Sequence, residues 1–265
     1  MNRTVWEVEL KVTGPIKVRN KVTFRTEKGF TMLPFYSDIS IKNTNNGVGA
    51  TVTAFADSKD LAYSAAYVFF GQMIDVLSFK INEPLYLHYY ENNFAVNQKY
   101  EVKRLLSKQD FEDSFQEARD LLLHNQYLLK AYGWYRKGLT TENPFDQLLA
   151  FWNVIEIIAP KYHNETTRSR RGIINKIWQC FLDLWGEEND WPVIGRKENW
   201  INSVCEIRNH ISHGVKEINL ENILEVIIYV EDLKKLTFIL LTKVNNLHYQ
   251  WGGFEFNGFN QNLRV

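Results

Sequence analysis

Asn143-Pro144-Phe145-Asp146-Gln147-Leu148-Leu149-Ala150-Phe151-Trp152-Asn153-Val154-Ile155-Glu156-Ile157-Ile158-Ala159-Pro160 reads as one helix with both ends marked. Asn143 offers a side-chain oxygen to the first free amides, and Pro144 suits the first helical position, where a missing N–H costs nothing. Pro160 stops the run. Apolar residues dominate between these ends, while Asp146, Asn153 and Glu156 line one polar stripe. On the N-terminal side, a long helical pattern spans about 109 to 136, with a break near His124-Asn125. On the C-terminal side, helices are expected over 171 to 184, ended by Gly186, and over 197 to 213, ended by Gly214. Asn219 caps a last helix running to about 246, and the glycine-bearing tail 251–265 reads as irregular.

Before residue 57 the period is different. Val5-Trp6-Glu7-Val8-Glu9-Leu10-Lys11-Val12 alternates apolar and charged side chains, as a half-buried strand does. Val22-Thr23-Phe24-Arg25-Thr26 repeats the pattern, Glu27-Lys28-Gly29 suggests a hairpin turn, and 30–36 a returning strand that Pro34 marks as an edge. Asn43-Thr44-Asn45-Asn46-Gly47 is a further turn, leading into a strand over 50–55. Asp57 or Ser58 then caps a helix over 59–79, with Leu61, Ala65, Val68, Phe69, Met73, Val76 and Leu77 on its apolar face. A strand over 84–90 and an unpatterned polar stretch over 92–103 complete this part. The fold class expected is α+β: a small antiparallel, β-rich region with one long helix over 1–105, then an all-α bundle over 106–265.

The chain has 265 residues, enough for two ordinary domains, and its 45% hydrophobic content can fill their cores. Thirty-one basic and 31 acidic residues cancel, so no global positive field draws in nucleic acid. Two cysteines, Cys180 and Cys205, without CxxC spacing, argue against a disulfide framework or zinc cluster and fit a reducing compartment. The N-terminus lacks the apolar run of a signal peptide, and charges interrupt the apolar segment 223–244. A cytoplasmic protein with no membrane span is the expectation.

Chemistry concentrates in Arg208-Asn209-His210-Ile211-Ser212-His213. On a helical wheel Trp200, Val204, Ile207 and Ile211 share the core side. Arg208 and Ser212 adjoin it, as do Asn209 and His213, so one flank carries guanidinium, hydroxyl, amide and imidazole. Arginine grips phosphate oxygens with a planar fork, histidine moves protons near neutral pH, and asparagine orients either. Such a set needs neither metal nor cofactor. Arg208 and His213 lie about 140° apart around the helix, so they meet only across a cleft. Its opposite wall would be the Asp146-Asn153-Glu156 stripe or a second protomer.

Plainer readings stay open. Arg208 and His213 also suit the negative end of a helix dipole. His210 and His213 are spaced for a metal, without a third ligand near in sequence. Glu156 also fits a solvated or salt-bridged position. Arg168, Arg170 and Arg171 fit either an RNA-phosphate contact or a solvated helix start. Twelve arginines and six histidines also give a second match to Arg-x4-6-His, Arg119 to His124, without the asparagine.

Arg208-Asn209-xxx-His213 resembles the Arg-x4-6-His signature of the HEPN superfamily. The stretch Tyr132-Gly133-Trp134-Tyr135-Arg136, with Asn143-Pro144-Phe145-Asp146 and Phe151 to Glu156, resembles the early helices of that superfamily's ApeA-like branch. The likeness covers about 110 to 245, and in length and layout the chain also resembles the methylamine-utilization MauJ family. The superfamily likeness implies a metal-independent endoribonuclease, in phage defence or as a toxin. His213 would act as acid-base, Arg208 as phosphate clamp and Asn209 as orienter, with Glu156, Asn153 and Ser212 in support. It implies RNA as substrate, a homodimer sharing one cleft, and a regulatory protein or antitoxin as a further partner. The alternatives it leaves are a non-catalytic module binding RNA, a nucleotide or a protein, and an accessory protein in metabolism.

Overall fold

The computed structural model of the protein describes residues 4–30, 33–88, 102–215, 217 and 219–250, with backbone alone at 27–30 and 33–37. The expected tail 251–265, most of the polar stretch 92–103 and the end of the 84–90 strand lie outside the described residues. The class is α+β, with an antiparallel sheet followed by helices. Contacts divide the chain into two units, Met1–Arg119 and Asp120–Val265.

The first unit carries strands β1 (Thr4–Thr13), β2 (Ile16–Val18), β3 (Val22–Phe30), β4 (Leu33–Thr44) and β5 (Gly47–Ala56), then helix α1 (Lys59–Ile81). Two short strands, β6 (Tyr86–Leu87) and β7 (Arg104–Leu106), follow before α2 (Lys108–His124). The main sheet has the order β3-β4-β5-β1-β6, and β2 pairs with β7 in parallel. Register converts alternation into a core: Val8 faces Val52, Leu10 faces Ala50 and Val12 faces Val48, all buried. Gly47 is required where it stands, because a Cβ there would lie 2.2 Å from the Val12 carbonyl oxygen.

Glu27-Lys28-Gly29 is not a turn. β3 runs on to Phe30, opposite Tyr36, Phe35 and Pro34. This arm extends past β5, whose pairing with β4 starts at Ile39, so Pro34 has a strand on one side alone among the described residues. The long helix also differs in detail. Ser58 caps α1, its Oγ accepting from the Leu61 amide at 3.3 Å. Leu61 and Val68 nevertheless turn outward, 54% and 46% exposed, while Ala62, Ala66, Phe70 and Ile74 face the sheet. The alanines let backbone approach backbone, a preference that a stripe of large apolar residues does not reveal. By length and composition α1 is the one described helix able to cross a membrane, and half of that stretch is buried inside the protein.

α2 belongs partly to this core. Phe115 sits 5.6 Å from the Phe24 ring centroid and 4.8 Å from that of Phe69. The division by contacts falls at 119/120, within α2.

The second unit contains α3 (Gln126–Thr140), α4 (Pro144–Ile158), α5 (Ile173–Trp185), α6 (Trp200–Ser212) and α7 (Leu220–Gln250). No strand occurs between 110 and 245 among the described residues. Asn125 ends α2 and caps α3, its Oδ1 accepting from the Leu128 amide at 3.2 Å. Asn143 caps α4 through the Phe145 amide at 2.9 Å. α4 is the central element, packed on α3 and α7, with Phe151, Trp152, Val154 and Ile155 buried. α3 comes so close that a Cβ on Gly138 would lie 2.5 Å from the Phe151 ring. α6 begins at Trp200, three residues later than its sequence pattern suggests. Lys197 is drawn instead to Asp232 on α7, and the Trp200 indole donates to the same carboxylate at 3.2 Å.

Candidate functional site

Burial of Trp200, Ile201, Val204 and Ile207 orients α6. Arg208 and Asn209 are thereby left half-buried on its flank, facing α4. Arg208 Nη2 donates to Glu156 Oε2 at 3.0 Å, linking α6 to α4. Its Nη1 donates to Asn209 Oδ1, also at 3.0 Å, and Asn209 Nδ2 donates to Cys205 Sγ at 3.7 Å. Carboxylate, guanidinium, amide and thiol form one continuous chain.

The guanidinium side chain keeps 30% exposure and the Glu156 side chain 20%. Partial burial makes this attraction stronger than that of a fully solvated pair, while water still reaches the arginine. Burial pushes the Cys205 thiol above its ordinary value, Arg208 pulls it back in part and Glu156 pushes it further. A neutral thiol is a weak hydrogen-bonding group, not a nucleophile. Cys205 was not picked out from sequence as a site residue. Its signal was present, three and four residues before Arg208 and Asn209 on the same flank.

His213 lies one residue beyond α6. Its backbone N–H donates to the Asn209 carbonyl at 3.0 Å, and Gly214 with φ of 66° ends the helix. The imidazole is exposed and has no hydrogen bond or ion pair among the described residues. It does not bond to Arg208, which turns toward α4. Ser212 is exposed. Asn153, on α4 one turn before Glu156, is half-buried and makes no hydrogen bond to the arginine. The structure thus joins Arg208, Asn209 and Glu156, and leaves the Ser212 and His213 side chains exposed at the end of the helix.

The arginines of the basic stretch make separate contacts. Arg168 lies over the Trp178 ring at 3.8 Å and donates to Asn175, Arg170 pairs with Glu165 at 2.8 Å, and Arg171 is exposed. His210 is exposed, and no group of three His, Cys, Asp or Glu side chains gathers among the described residues.

Fold and site together define an α+β protein with an antiparallel sheet and a helical unit, the latter bearing an Arg-Asn-Glu cluster with an exposed histidine at the end of the same helix. A family model described as methylamine utilization protein MauJ matches residues 131–230, a stretch that holds Glu156 and all of 208–213. No curated protein and no solved structure matches the chain.

Proposed function

We propose that the helical unit is a HEPN-type, metal-independent endoribonuclease. The observation that carries this reading is the Arg208 guanidinium, held by Glu156 and Asn209 yet open to water, five residues before an exposed imidazole that makes no hydrogen bond or ion pair among the described residues. In the reaction, a ribose 2′-oxygen attacks the adjacent phosphorus and the P–O5′ bond breaks. A 2′,3′-cyclic phosphate and a 5′-hydroxyl result. His213 takes the 2′-hydroxyl proton and a proton is returned to the leaving O5′. Arg208 offsets the charge that builds on the phosphorane oxygens. Glu156 holds the fork in place before RNA binds, at the cost of sharing its charge. A second protomer supplies the facing wall of the cleft.

The test is incubation of the purified protein with total RNA, with and without EDTA. Cleavage should persist in EDTA, leave cyclic phosphate ends, and disappear in His213→Ala and Arg208→Ala. Cleavage that needs added Mg²⁺, or survives in His213→Ala, overturns the assignment.

A second reading has its own support. Glu156 already occupies Arg208, as expected of a structural pair, and the family model over 131–230 names methylamine utilization. In that case the protein is a non-catalytic accessory in that metabolism. His213→Ala would then leave its activity in cells intact.

A further inference from the structure

The first turns of α7 carry two apolar faces. Val226, Val230 and Leu233 form the buried one. Leu220, Leu224, Ile227 and Ile228 recur at i, i+4, i+7 and i+8, within about 100° around the helix, and form the other. These four stay 37% to 72% exposed. Such a run on one face differs from the single exposed aliphatics usual on a surface and marks an interaction site. Charge indicates what covers it. From Glu217 to Glu231 the chain holds four glutamates and no lysine, arginine or histidine. The cations fall outside that stretch, Lys216 before it and Lys234 and Lys235 after it. Glu221 flanks the apolar run and Glu231 closes it. The side chains of Glu217, Glu221 and Glu231 are exposed and make no ion pair among the described residues. A second copy fits poorly. Laid antiparallel so that the two apolar runs meet, it sets Glu231 against Glu217 or Glu221 of the other copy, depending on register. Laid parallel, it sets each glutamate against its own counterpart, and like charges so placed repel. The aromatic residues of the tail fall short as well. Phe259 stands nine residues past Gln250, about 30 Å of extended chain, whereas Leu224 lies about 39 Å back along α7.

We infer that the first turns of α7 bind a basic amphipathic helix of another protein. Its aliphatic face packs along Leu220, Leu224, Ile227 and Ile228, as one helix covers the open face of another. Lysine or arginine side chains beside that face meet Glu221 and Glu231. The aliphatic contact supplies most of the affinity, and the glutamates select a basic partner over an acidic one.

Fluorescence polarisation with the full chain tests it, using two fluorescein-labelled peptides that share one leucine face. The first is Lys-Leu-Ala-Lys-Leu-Leu-Lys-Lys-Leu-Ala-Lys-Leu-Leu-Lys, and the second carries Glu at every Lys. Saturable binding of the lysine peptide is expected, with the glutamate peptide weaker on the order of tenfold or more. Glu221→Lys combined with Glu231→Lys should reverse that preference. Leu224→Ser combined with Ile228→Ser should weaken the lysine peptide on the order of tenfold or more. All four positions are exposed, so both double variants should stay folded in thermal melts. No saturable binding, or equal binding of the two peptides, overturns the proposal. An unchanged preference in the glutamate-to-lysine variant also overturns it, because the peptide then sits elsewhere. Sedimentation velocity and co-pelleting with phosphatidylcholine–phosphatidylglycerol vesicles check the other occupants. A dimer that dissolves in the Leu224→Ser, Ile228→Ser variant assigns the face to a second copy, and vesicle binding lost in that variant assigns it to a membrane. Either result overturns the basic partner.

Discussion

Arg208 and His213 sit five residues apart, yet their surroundings give them different energetic roles. His213 is exposed and makes no side-chain bond among the described residues, so His213→Ala should change unfolding stability by less than about 0.5 kcal/mol. Arg208 is tied to α4. Removing it leaves a Glu156 carboxylate that is only 20% exposed without its cation, which should cost about 1 to 3 kcal/mol. Glu156→Gln, which keeps a hydrogen-bond acceptor, should cost about 1 kcal/mol or less. Urea titration of the three variants measures all of these. A His213→Ala loss above about 2 kcal/mol would give the imidazole a packing role and count against a proton-transfer group.

At the level of elements, the helical unit depends on how close α3 and α4 can lie and on how α3 begins. Gly138→Ala should destabilise by about 1 to 3 kcal/mol, although alanine is the better helix former, because its methyl would stand 2.5 Å from the Phe151 ring. A neutral or stabilising result in thermal melts would mean that Phe151 can swing away. Asn125 has three tasks: it caps Leu128, donates to the Tyr162 hydroxyl at 2.7 Å, and faces His248 Nδ1 at 3.5 Å. Asn125→Ala removes the cap and the hydrogen bond to the buried Tyr162 hydroxyl, and should cost about 1 to 3 kcal/mol. Asn125→Ser restores the cap without the reach, so recovery of only part of that loss is expected.

For the whole molecule, pH tests the burial pattern. Burial raises the Tyr162 phenol from 10.0 to about 12, with the Asn125 hydrogen bond opposing part of the rise. Burial also raises the Tyr135 phenol and the Cys180 thiol. Each group stays protonated in the fold at a pH where the unfolded chain has begun to lose its proton. The native state then binds more protons, so stability falls as pH rises. For Tyr162 the loss begins near pH 10, ends near 12, and amounts to about 2 to 3 kcal/mol. Guanidinium unfolding between pH 8 and 11.5 should show this decline, with a shallower slope in Tyr162→Phe. A flat profile would mean that these groups reach water.

Periodicity and caps were legible from the residues alone. The alternation in β1, the Asn-Asn turn before Gly47, the break near His124-Asn125, and the helix starts at Ser58, Asn143 and Asn219 are local, decided by neighbours within four residues. The flank bearing Arg208 and Asn209 was legible for the same reason, since a helix sets its own spacing. What the chain could not display locally was decided by contacts across distance. β3 runs through its apparent turn because β4 pairs with it. α1 buries alanines in place of Leu61 and Val68 because the sheet demands close approach. Phe111 and Phe115 draw α2 into the first unit, and Asp232 delays the start of α6. Most decisive for the site, Glu156 lies 52 residues from Arg208 and meets it only where α4 and α6 pack. Geometry within an element follows from its own residues, whereas the partner of a charged side chain depends on which elements the core brings together.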